Sequence, residues 1–263
     1  MNSLRIQLFL INLLVIILPC CSTCPASFIQ VGVDLCIFSM ASTRDFCQAN
    51  QRCALSGKEQ GLHMVLIGRK SAMVMNYLNA STQRLWTTIN NAFRIASDNT
   101  NWRDGDPQNP LYLSKRKELI WLSDSPQYID LLAIQSFRPS TGLVVTRPQA
   151  SKPVSIVCEL INPVVKGRRV NQLKRNFPPA TVGQILSTTS TKMCHESVVA
   201  TSAISCAFRC SQKTECRSSF YNDHLSTCLL SLYIDAPVPV SYINSAGEWE
   251  RFTKTGLERA LAD

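Results

Sequence analysis

Eight residues near the N-terminus read Phe46-Cys47-Gln48-Ala49-Asn50-Gln51-Arg52-Cys53. Phe46, Ala49 and Cys53 are spaced i, i+3 and i+7, so an α-helix would carry all three on one buried face. Cys47 is rotated by about 100° from Phe46 in such a helix and points elsewhere. Cys53 is therefore the better candidate of the two cysteines for a disulfide in the core.

The ends of this helix and a second helix are also indicated by the sequence. Ser42 or Thr43 can act as the N-cap, and Asp45 falls near the positive end of the helix dipole. We predict a second helix from Ser71 to about Asn79. Both helices would precede a long region that is rich in Asn, Asp, Gly and Pro.

The segment before the first helix predicts a hairpin. Phe28 to Phe38 alternates apolar and polar residues around a turn at Gly32. Cys24 and Cys36 flank the first arm of this segment, which suggests that a disulfide staples the hairpin. After the helices, three tryptophans at positions 86, 102 and 121 precede a second strand-like segment, Val154 to Cys158.

Five motifs in this order resemble a C-type lectin-like domain that covers Cys24 to about Leu160. They are Cys24-Pro25 with Cys36, Phe46 to Cys53, Leu85 to Asn90, Trp102 to Gly105, and Val157 to Glu159. The resemblance implies an α+β fold with two helices, antiparallel sheets and a long loop. It also implies two disulfides, Cys24–Cys36 and Cys53–Cys158.

The sequence departs from sugar-binding members of that family where calcium would bind. The ligating tripeptide of those members aligns with Ser125-Pro126-Gln127, which replaces the first carboxylate by a hydroxyl. Their Trp-Asn-Asp motif aligns near Val144 to Arg147, which offers no carboxylate and adds a cation. Calcium depends on carboxylate ligands, so we expect no calcium cofactor. A second candidate for the ligating tripeptide, Asp106-Pro107-Gln108, keeps a carboxylate. It lies too close to the Trp102–Gly105 motif to fit the order of motifs in that family. A calcium-dependent carbohydrate-binding lectin remains the alternative.

The second core disulfide of that family cannot form in this chain, because neither of its two positions is a cysteine. Its two positions align near Leu132 or Ala133 and at Ala150. Because both partners are absent together, no lone buried thiol is left behind. A disulfide is worth typically about 2–4 kcal/mol, so we expect the long loop to be held less firmly.

The C-terminal part has a denser cysteine pattern, with cysteines at 194, 206, 210, 216 and 228. Thr201 to Cys210 predicts a helix with Ala203, Cys206 and Cys210 on one face. Strands follow at Ser219 to Tyr221 and at Cys228 to Tyr233, and a last strand carries Trp249 and Phe252. The pattern resembles the PAN/apple module over residues 193–255. That resemblance implies the disulfides Cys206–Cys228 and Cys210–Cys216.

Of the 12 cysteines, Cys20 and Cys21 fall in the N-terminal apolar segment that we interpret below as a signal peptide. The four bridges use eight of the other ten and leave Cys47 and Cys194. They could pair with each other and lock the two modules together, or each could cross-link to another chain and give a disulfide-linked oligomer. A zinc site in the C-terminal part would need thiolates, and the five cysteines from Cys194 to Cys228 contain no Cys-x-x-Cys pair. We therefore expect disulfides and no metal.

The N-terminus predicts export. Leu8 to Leu18 is an apolar run of 11 residues, too short to span a membrane, with Arg5 before it and Ser22 after it. We interpret residues 1–22 as a signal peptide of a secreted, extracellular protein that does not insert into membranes. The high cysteine count agrees with an oxidising compartment. Asn79-Ala80-Ser81 is a sequon at which a glycan could be attached.

Positive charge is concentrated between the two modules. Residues 131–195 contain nine of the 27 basic residues and one acid. We interpret residues 161–192 as a basic Pro/Ser/Thr linker, with residues 256–263 as a C-terminal tail. The basic residues that could bind sulfated glycans are Lys166, Arg168, Arg169, Lys174 and Arg175. Proteolysis after Arg169 is a further alternative. Nucleic acid is not expected, because no aromatic residues interleave these charges.

The sequence gives no signature of an enzyme. The three histidines, at positions 63, 195 and 224, belong to no catalytic motif, and we expect them to be polar surface residues. We therefore predict a secreted, non-enzymatic recognition or adhesion protein. It would bind a protein or an anionic glycan without calcium. A disulfide-linked structural matrix component is a second alternative.

Overall fold

The fold is taken from a computed structural model. The structure describes residues 24–78, 82–92, 101–106, 113–115, 119–122, 132–137, 140–161, 169–175, 193–242 and 248–259. We call residues 24–161 the N-terminal unit and residues 169–259 the C-terminal unit. The mixed α+β class that the sequence predicts is confirmed.

The N-terminal unit contains one α-helix, one 3₁₀ helix and nine strands among its described residues. The helices are α1 (Phe46–Glu59) and the 3₁₀ helix (Arg69–Tyr77). The strands are β1 (Ile29–Val31), β2 (Leu35–Asp45), β3 (Met64–Leu66), β4 (Arg84–Asn90), β5 (Asn101–Arg103), β6 (Leu113–Lys115), β7 (Leu132–Ser136), β8 (Gly142–Thr146) and β9 (Gln149–Leu160).

The predicted N-terminal hairpin is formed by β1 and β2. The chain reverses at Gly32, whose φ of +64° is a left-handed conformation that glycine adopts without strain. Gln30 lies opposite Cys36 in the antiparallel register. β2 then continues far beyond the hairpin and pairs with β9 as far as Asp45, opposite Gln149.

Helix α1 buries the predicted face but starts at a different cap. Phe46, Ala49 and Cys53 are fully buried. The N-cap is Asp45, whose Oδ1 accepts a hydrogen bond of 2.7 Å from the backbone N–H of Gln48. The prediction of Ser42 or Thr43 is therefore wrong, because those residues still belong to strand β2.

The second helix is a 3₁₀ helix and ends before the predicted Asn79. Its backbone bonds include Ser71 N–H to the carbonyl of Gly68 and Leu78 N–H to the carbonyl of Met75, each spanning three residues. Its two buried residues are Ser71 and Val74. A 3₁₀ helix has three residues per turn, so residues three apart lie on the same side of it. Ser71 and Val74 are three apart, and a 3₁₀ helix therefore places both against the core.

Strands β1 to β9 form one connected sheet system. The main path is β1-β2-β9-β4-β5-β6, with β3 paired to β9, β7 paired to β4, and β8 paired to β7. The pairs are antiparallel except for a short parallel contact of β4 with β9, at Leu85 and Ser155. Strands β9 and β4, each paired with three neighbours, thus form the centre, and β7 and β8 extend from β4.

In residues 169–175, 193–242 and 248–259, the C-terminal unit forms a five-stranded antiparallel sheet with one α-helix. The helix is α2 (Ala203–Gln212), followed late in the chain by a short 3₁₀ turn (Val240–Tyr242). The strands are β10 (Arg169–Arg175), β11 (His195–Val199), β12 (Cys216–Asn222), β13 (Thr227–Leu232) and β14 (Trp249–Arg259). Their order is β10-β14-β12-β13-β11.

Two predicted boundaries differ from the structure. The segment that we interpret as linker contributes β10, which pairs with β14 from Arg169 opposite Arg259 to Arg175 opposite Phe252. The same pairing extends β14 to Arg259, so the first four residues of the predicted tail, 256–259, belong to this strand. An edge strand contacts one neighbour only and needs no strong apolar alternation, which explains why the sequence pattern did not indicate β10.

Helix α2 lies where the cysteine spacing predicts it. Ser202 is its N-cap, and the Ser202 hydroxyl accepts a bond of 3.1 Å from the N–H of Ser205. Cys206 and Cys210 are fully buried one turn apart against the sheet, and Ala203 is half-buried. The helix is therefore fastened to the sheet through its cysteine face.

A single apolar cluster joins the two units. It contains Phe46, Trp86 and Cys158 of the N-terminal unit together with Met193 and Ile234 of the C-terminal unit. Burying apolar surface is the main favourable contribution to folding. The two units consequently share part of one core.

Candidate functional site

The position that aligns with a calcium-binding motif is an ordinary strand. Val144 and Thr146 belong to β8 and pair with β7, opposite Ile134 and Leu132. Val144 packs against the shared core, and Arg147 follows it as an exposed cation. The other aligned positions, Ser125, Pro126 and Gln127, lie outside the described residues. Within the described ranges there is no group of three or more His, Cys, Asp or Glu residues that could hold a metal ion.

Asp104, the carboxylate of the Trp102–Gly105 motif, is buried, and both of its oxygens accept hydrogen bonds. Thr88 Oγ1 donates to Oδ1 at 2.6 Å, and the backbone N–H of Arg69 donates to Oδ2 at 3.0 Å. Burial nevertheless raises the pKa of Asp104 above its ordinary value of 3.8. This carboxylate therefore ties β4, β5 and the 3₁₀ helix together instead of facing a ligand.

Apolar side chains occupy the positions of the absent second disulfide. Leu132 and Ala133 are fully buried, and Ala150 packs against the shared core. Burial of a small apolar side chain needs no partner atom, whereas a lone thiol there would be a buried free cysteine. At these positions, apolar packing takes the place of the absent disulfide.

The ten described cysteines form five disulfides. The pairs are Cys24–Cys36, Cys47–Cys194, Cys53–Cys158, Cys206–Cys228 and Cys210–Cys216. None of these ten sulfurs is a free thiolate, so none can act as a nucleophile or hold zinc. Cys47 and Cys194 bond to each other, which leaves neither of them available for a link to another chain.

The histidines differ in burial. His224 is exposed in the β12–β13 turn, and His63 is half-buried. Both ring nitrogens of His195 are buried, and burial lowers the pKa of this imidazole below 6.5. The expectation of a surface residue is therefore wrong for His195, which stays neutral near pH 7.

The basic stretch is partly ordered as strand β10. Lys174 and Arg175 are exposed at the edge of the sheet, and Arg175 forms an ion pair with Glu250 of β14. Arg169 opens the strand. Lys166 and Arg168 lie outside the described residues.

Other predictions of the sequence also fall outside the described residues. They are the signal peptide at residues 1–22 and the sequon at Asn79. Among the helices that the structure describes, none has the length and hydropathy needed to cross a bilayer.

The junction of the two units is organised around Asp235. Its carboxylate accepts from Arg103 Nη1 at 3.1 Å, from Ser218 Oγ at 2.7 Å and from the guanidinium of Arg251. Arg103 belongs to the N-terminal unit, and the other three residues belong to the C-terminal unit. The Cys47–Cys194 disulfide fastens the same junction covalently.

Gly105 lies at a close contact between the units. A Cβ at this position would lie 2.8 Å from Thr88 Cβ and 3.0 Å from the carbonyl oxygen of Tyr233. Real Cβ contacts are essentially never that short, so only glycine fits. The carbonyl of Gly105 in turn accepts from Arg217 Nη2 at 3.4 Å.

A cavity of about 310 Å³ lies beside this contact. Its polar or charged lining residues are Asn50, Lys58, His63, Thr88, Thr214, Glu215, Arg217 and Tyr233. The sequence analysis missed this site, because its walls come from separate units. The one local signal, a basic residue directly after Cys216 in an otherwise uncharged strand, does not indicate a cavity by itself.

Comparisons with known proteins give similarity of fold only. No protein-family model matches the chain. No curated protein matches it either. Among solved structures, the C-type lectin CEL-I from Cucumaria echinata is 15% identical, with a TM-score of 0.39, over 53% of this chain and 99% of that one.

Two further structures are similar over the same share of this chain. A calcium-independent type II antifreeze protein is 16% identical, with a TM-score of 0.37, over 53% of this chain and 96% of that one. The carbohydrate-recognition domain of the human scavenger receptor C-type lectin is 16% identical, with a TM-score of 0.35, over 52% of this chain and 98% of that one.

Proposed function

We propose that this chain is a secreted, non-enzymatic recognition protein that binds an anionic glycan or an acidic protein surface without calcium. Residues 24–160 would form a C-type lectin-like domain and residues 193–255 a PAN/apple-like module. Recognition would rely on charge and surface contact. No step of bond making or breaking is needed.

The observation that carries this proposal is the basic edge, formed by Lys174 and Arg175 on strand β10. An ordered strand holds its charges at fixed spacing, and clustered cations raise the local concentration of anionic partners. Arg175 is exposed although it pairs with Glu250. Such a surface ion pair is worth at most about 1 kcal/mol, so a polyanion can compete for the guanidinium.

Calcium independence is supported by strand β8. Calcium sites need six to eight oxygen ligands, with carboxylates among them. Val144, Val145 and Thr146 supply no carboxylate, and Val144 and Val145 pack against apolar clusters. A ligand site at this strand would therefore not depend on a divalent ion.

Export is supported by the five disulfides of the described chain. Disulfides persist in oxidising compartments and are rare in the cytosol. The signal-like N-terminus and the sequon at Asn79 agree with that route. Cross-linked matrix assembly through Cys47 or Cys194 is not proposed, because these two sulfurs bond to each other.

Heparin-affinity chromatography tests the basic edge. We expect the wild-type protein to bind and to elute with salt, because salt screens exposed charges. The double variant Lys174→Gln, Arg175→Gln should elute at clearly lower salt. Lys152→Gln, which removes one exposed charge from β9, is the matched control and should elute close to wild type.

The same column distinguishes the calcium-dependent alternative. Chelator in the running buffer should leave the elution position unchanged. Release by chelator from heparin or from immobilised neutral sugars would favour a calcium-dependent lectin. If the double variant elutes at the same salt concentration as wild type, the basic edge is not the surface that binds heparin.

A further inference from the structure

Arg217 is a buried cation without an ion-pair partner in the described part of the chain. It is the second residue of β12, directly after Cys216, and it is 9% exposed. Its guanidinium donates to neutral carbonyl oxygens, at 2.9 Å to Thr214 and at 3.4 Å to Gly105. Its Nε has no acceptor among the described residues.

Leaving a guanidinium in this state is energetically unfavourable. A buried charge is costly unless a counter-charge and hydrogen bonds compensate it. Burial lowers the pKa of Arg217 to about 10, and the charges of Asp106 and Glu215 offset this only in part. The folded protein therefore carries a positive charge whose compensation is incomplete.

The cavity at the junction lies against this charge. Its volume of about 310 Å³ falls at the lower end of ligand-binding cavities, which span about 300–1,000 Å³. Lys58 of α1 and Arg217 contribute two cations to the lining, against the single acid Glu215. The cavity therefore has an excess of positive charge on walls that belong to both units.

The backbone at the cavity is held in an uncommon conformation. Tyr233 has a φ of +68°, which is rare for a residue with a side chain, and its N–H donates to the carbonyl of Glu215 at 2.7 Å. Burial raises the pKa of Tyr233 to about 12, so its hydroxyl keeps its proton at neutral pH. Residues held in such conformations cluster at functional sites.

We propose that the junction cavity binds a small acidic ligand through one oxyanion group, a carboxylate or a sulfate, with Arg217 and Lys58 as its counter-charges. The ligand would bridge the two units, because Lys58 belongs to α1 and Arg217 to β12. This site is separate from the basic edge on β10, and its proposal does not rest on heparin binding.

Isothermal titration with four sugars tests the proposal. Glucuronic acid and N-acetylglucosamine 6-sulfate carry the two oxyanion groups, and glucose and N-acetylglucosamine are their neutral counterparts. At constant ionic strength, we expect at least one acidic sugar to bind and both neutral sugars to fail. Which acidic sugar binds distinguishes carboxylate from sulfate.

Variants connect that binding to the cavity. Lys58→Gln changes an exposed side chain of α1, so folding should be unaffected. Affinity should fall about tenfold, which corresponds to about 1.4 kcal/mol, because one charged contact to the oxyanion is lost. Arg217→Met fills the same space without charge and should abolish binding. Lys152→Gln is the control and should bind as wild type does.

Several results would overturn the proposal. They are equal binding of acidic and neutral sugars, no binding of either acidic sugar at millimolar concentration, or unchanged affinity in Lys58→Gln. If Arg217→Met does not fold, the affinity of Lys58→Gln for the acidic sugar still tests the proposal. The variant of Lys174 and Arg175 should keep full affinity for the acidic sugar, so failure of the basic edge and failure of the cavity are distinguishable.

Discussion

Lys254 shows how burial of a single charge makes the stability of this fold depend on pH. Its Nζ donates to the carbonyl oxygen of Lys213 at 2.7 Å, and no carboxylate among the described residues contacts it. Burial, together with the nearby charge of Arg217, lowers its pKa from 10.5 to about 8. Between these values the unfolded chain keeps the proton and the folded protein releases it, so stability rises with pH there.

Replacing Lys254 tests this linkage. The free energy of unfolding of wild type, minus that of Lys254→Met, should rise by about 2 kcal/mol between pH 7 and pH 9.5. Urea unfolding followed by circular dichroism at each pH measures the difference. Lys152→Met, at an exposed position on β9, should show no such trend. A flat difference for Lys254 would mean that the folded protein retains this proton up to its ordinary pKa.

At the scale of elements, the local pattern predicted buried faces well and boundaries less well. The i, i+3, i+7 spacing of Phe46, Ala49 and Cys53 was sufficient to identify the core face of α1. The start of α1 was not readable, because it depends on how far β2 pairs with β9, whose partner residue Gln149 lies about a hundred positions away. Strand β10 was missed for the same reason, since its partner β14 is distant in sequence.

The cap of α1 gives a prediction at this scale. Asp45→Ala removes the acceptor of the Gln48 N–H and should cost about 1 kcal/mol of stability. Asp45→Asn keeps a capping oxygen and should cost much less. Ser42→Ala changes the exposed residue that the sequence suggested as a cap, and it should leave the midpoint of urea unfolding unchanged. An effect of Ser42→Ala equal to that of Asp45→Ala would show that the helix starts earlier.

For the whole molecule, the relation between the two units could not be predicted from the sequence. The spacing of cysteines left Cys47 and Cys194 open, since connectivity does not follow from spacing. Nothing local indicates that Arg103 meets Asp235 or that Gly105 approaches Tyr233, because each pair joins segments more than a hundred residues apart. The candidate cavity therefore emerged only from the assembled chain.

The Cys47–Cys194 disulfide provides the test of this shared architecture. It closes a sequence separation of 147 residues, whereas Cys24–Cys36 closes 12. With Cys53–Cys158 intact, the path from Cys47 to Cys194 in the unfolded chain shortens to about 42 residues. The loop-entropy relation then gives about 4 kcal/mol for the first pair and about 3 kcal/mol for the second. The two pairs are matched in burial, each with one buried and one half-buried cysteine. Replacing each pair by alanines should therefore destabilise the protein more at the junction than at the hairpin.

Urea unfolding of wild type, Cys47→Ala/Cys194→Ala and Cys24→Ala/Cys36→Ala measures both losses. Because Met193 and Ile234 share a core with Phe46 and Trp86, wild type should unfold in one transition. If the units instead unfolded in two separate transitions, the junction disulfide would link two independently stable bodies. Its removal would then cost little, and the cavity between the units would lack the fixed walls that an acidic ligand requires.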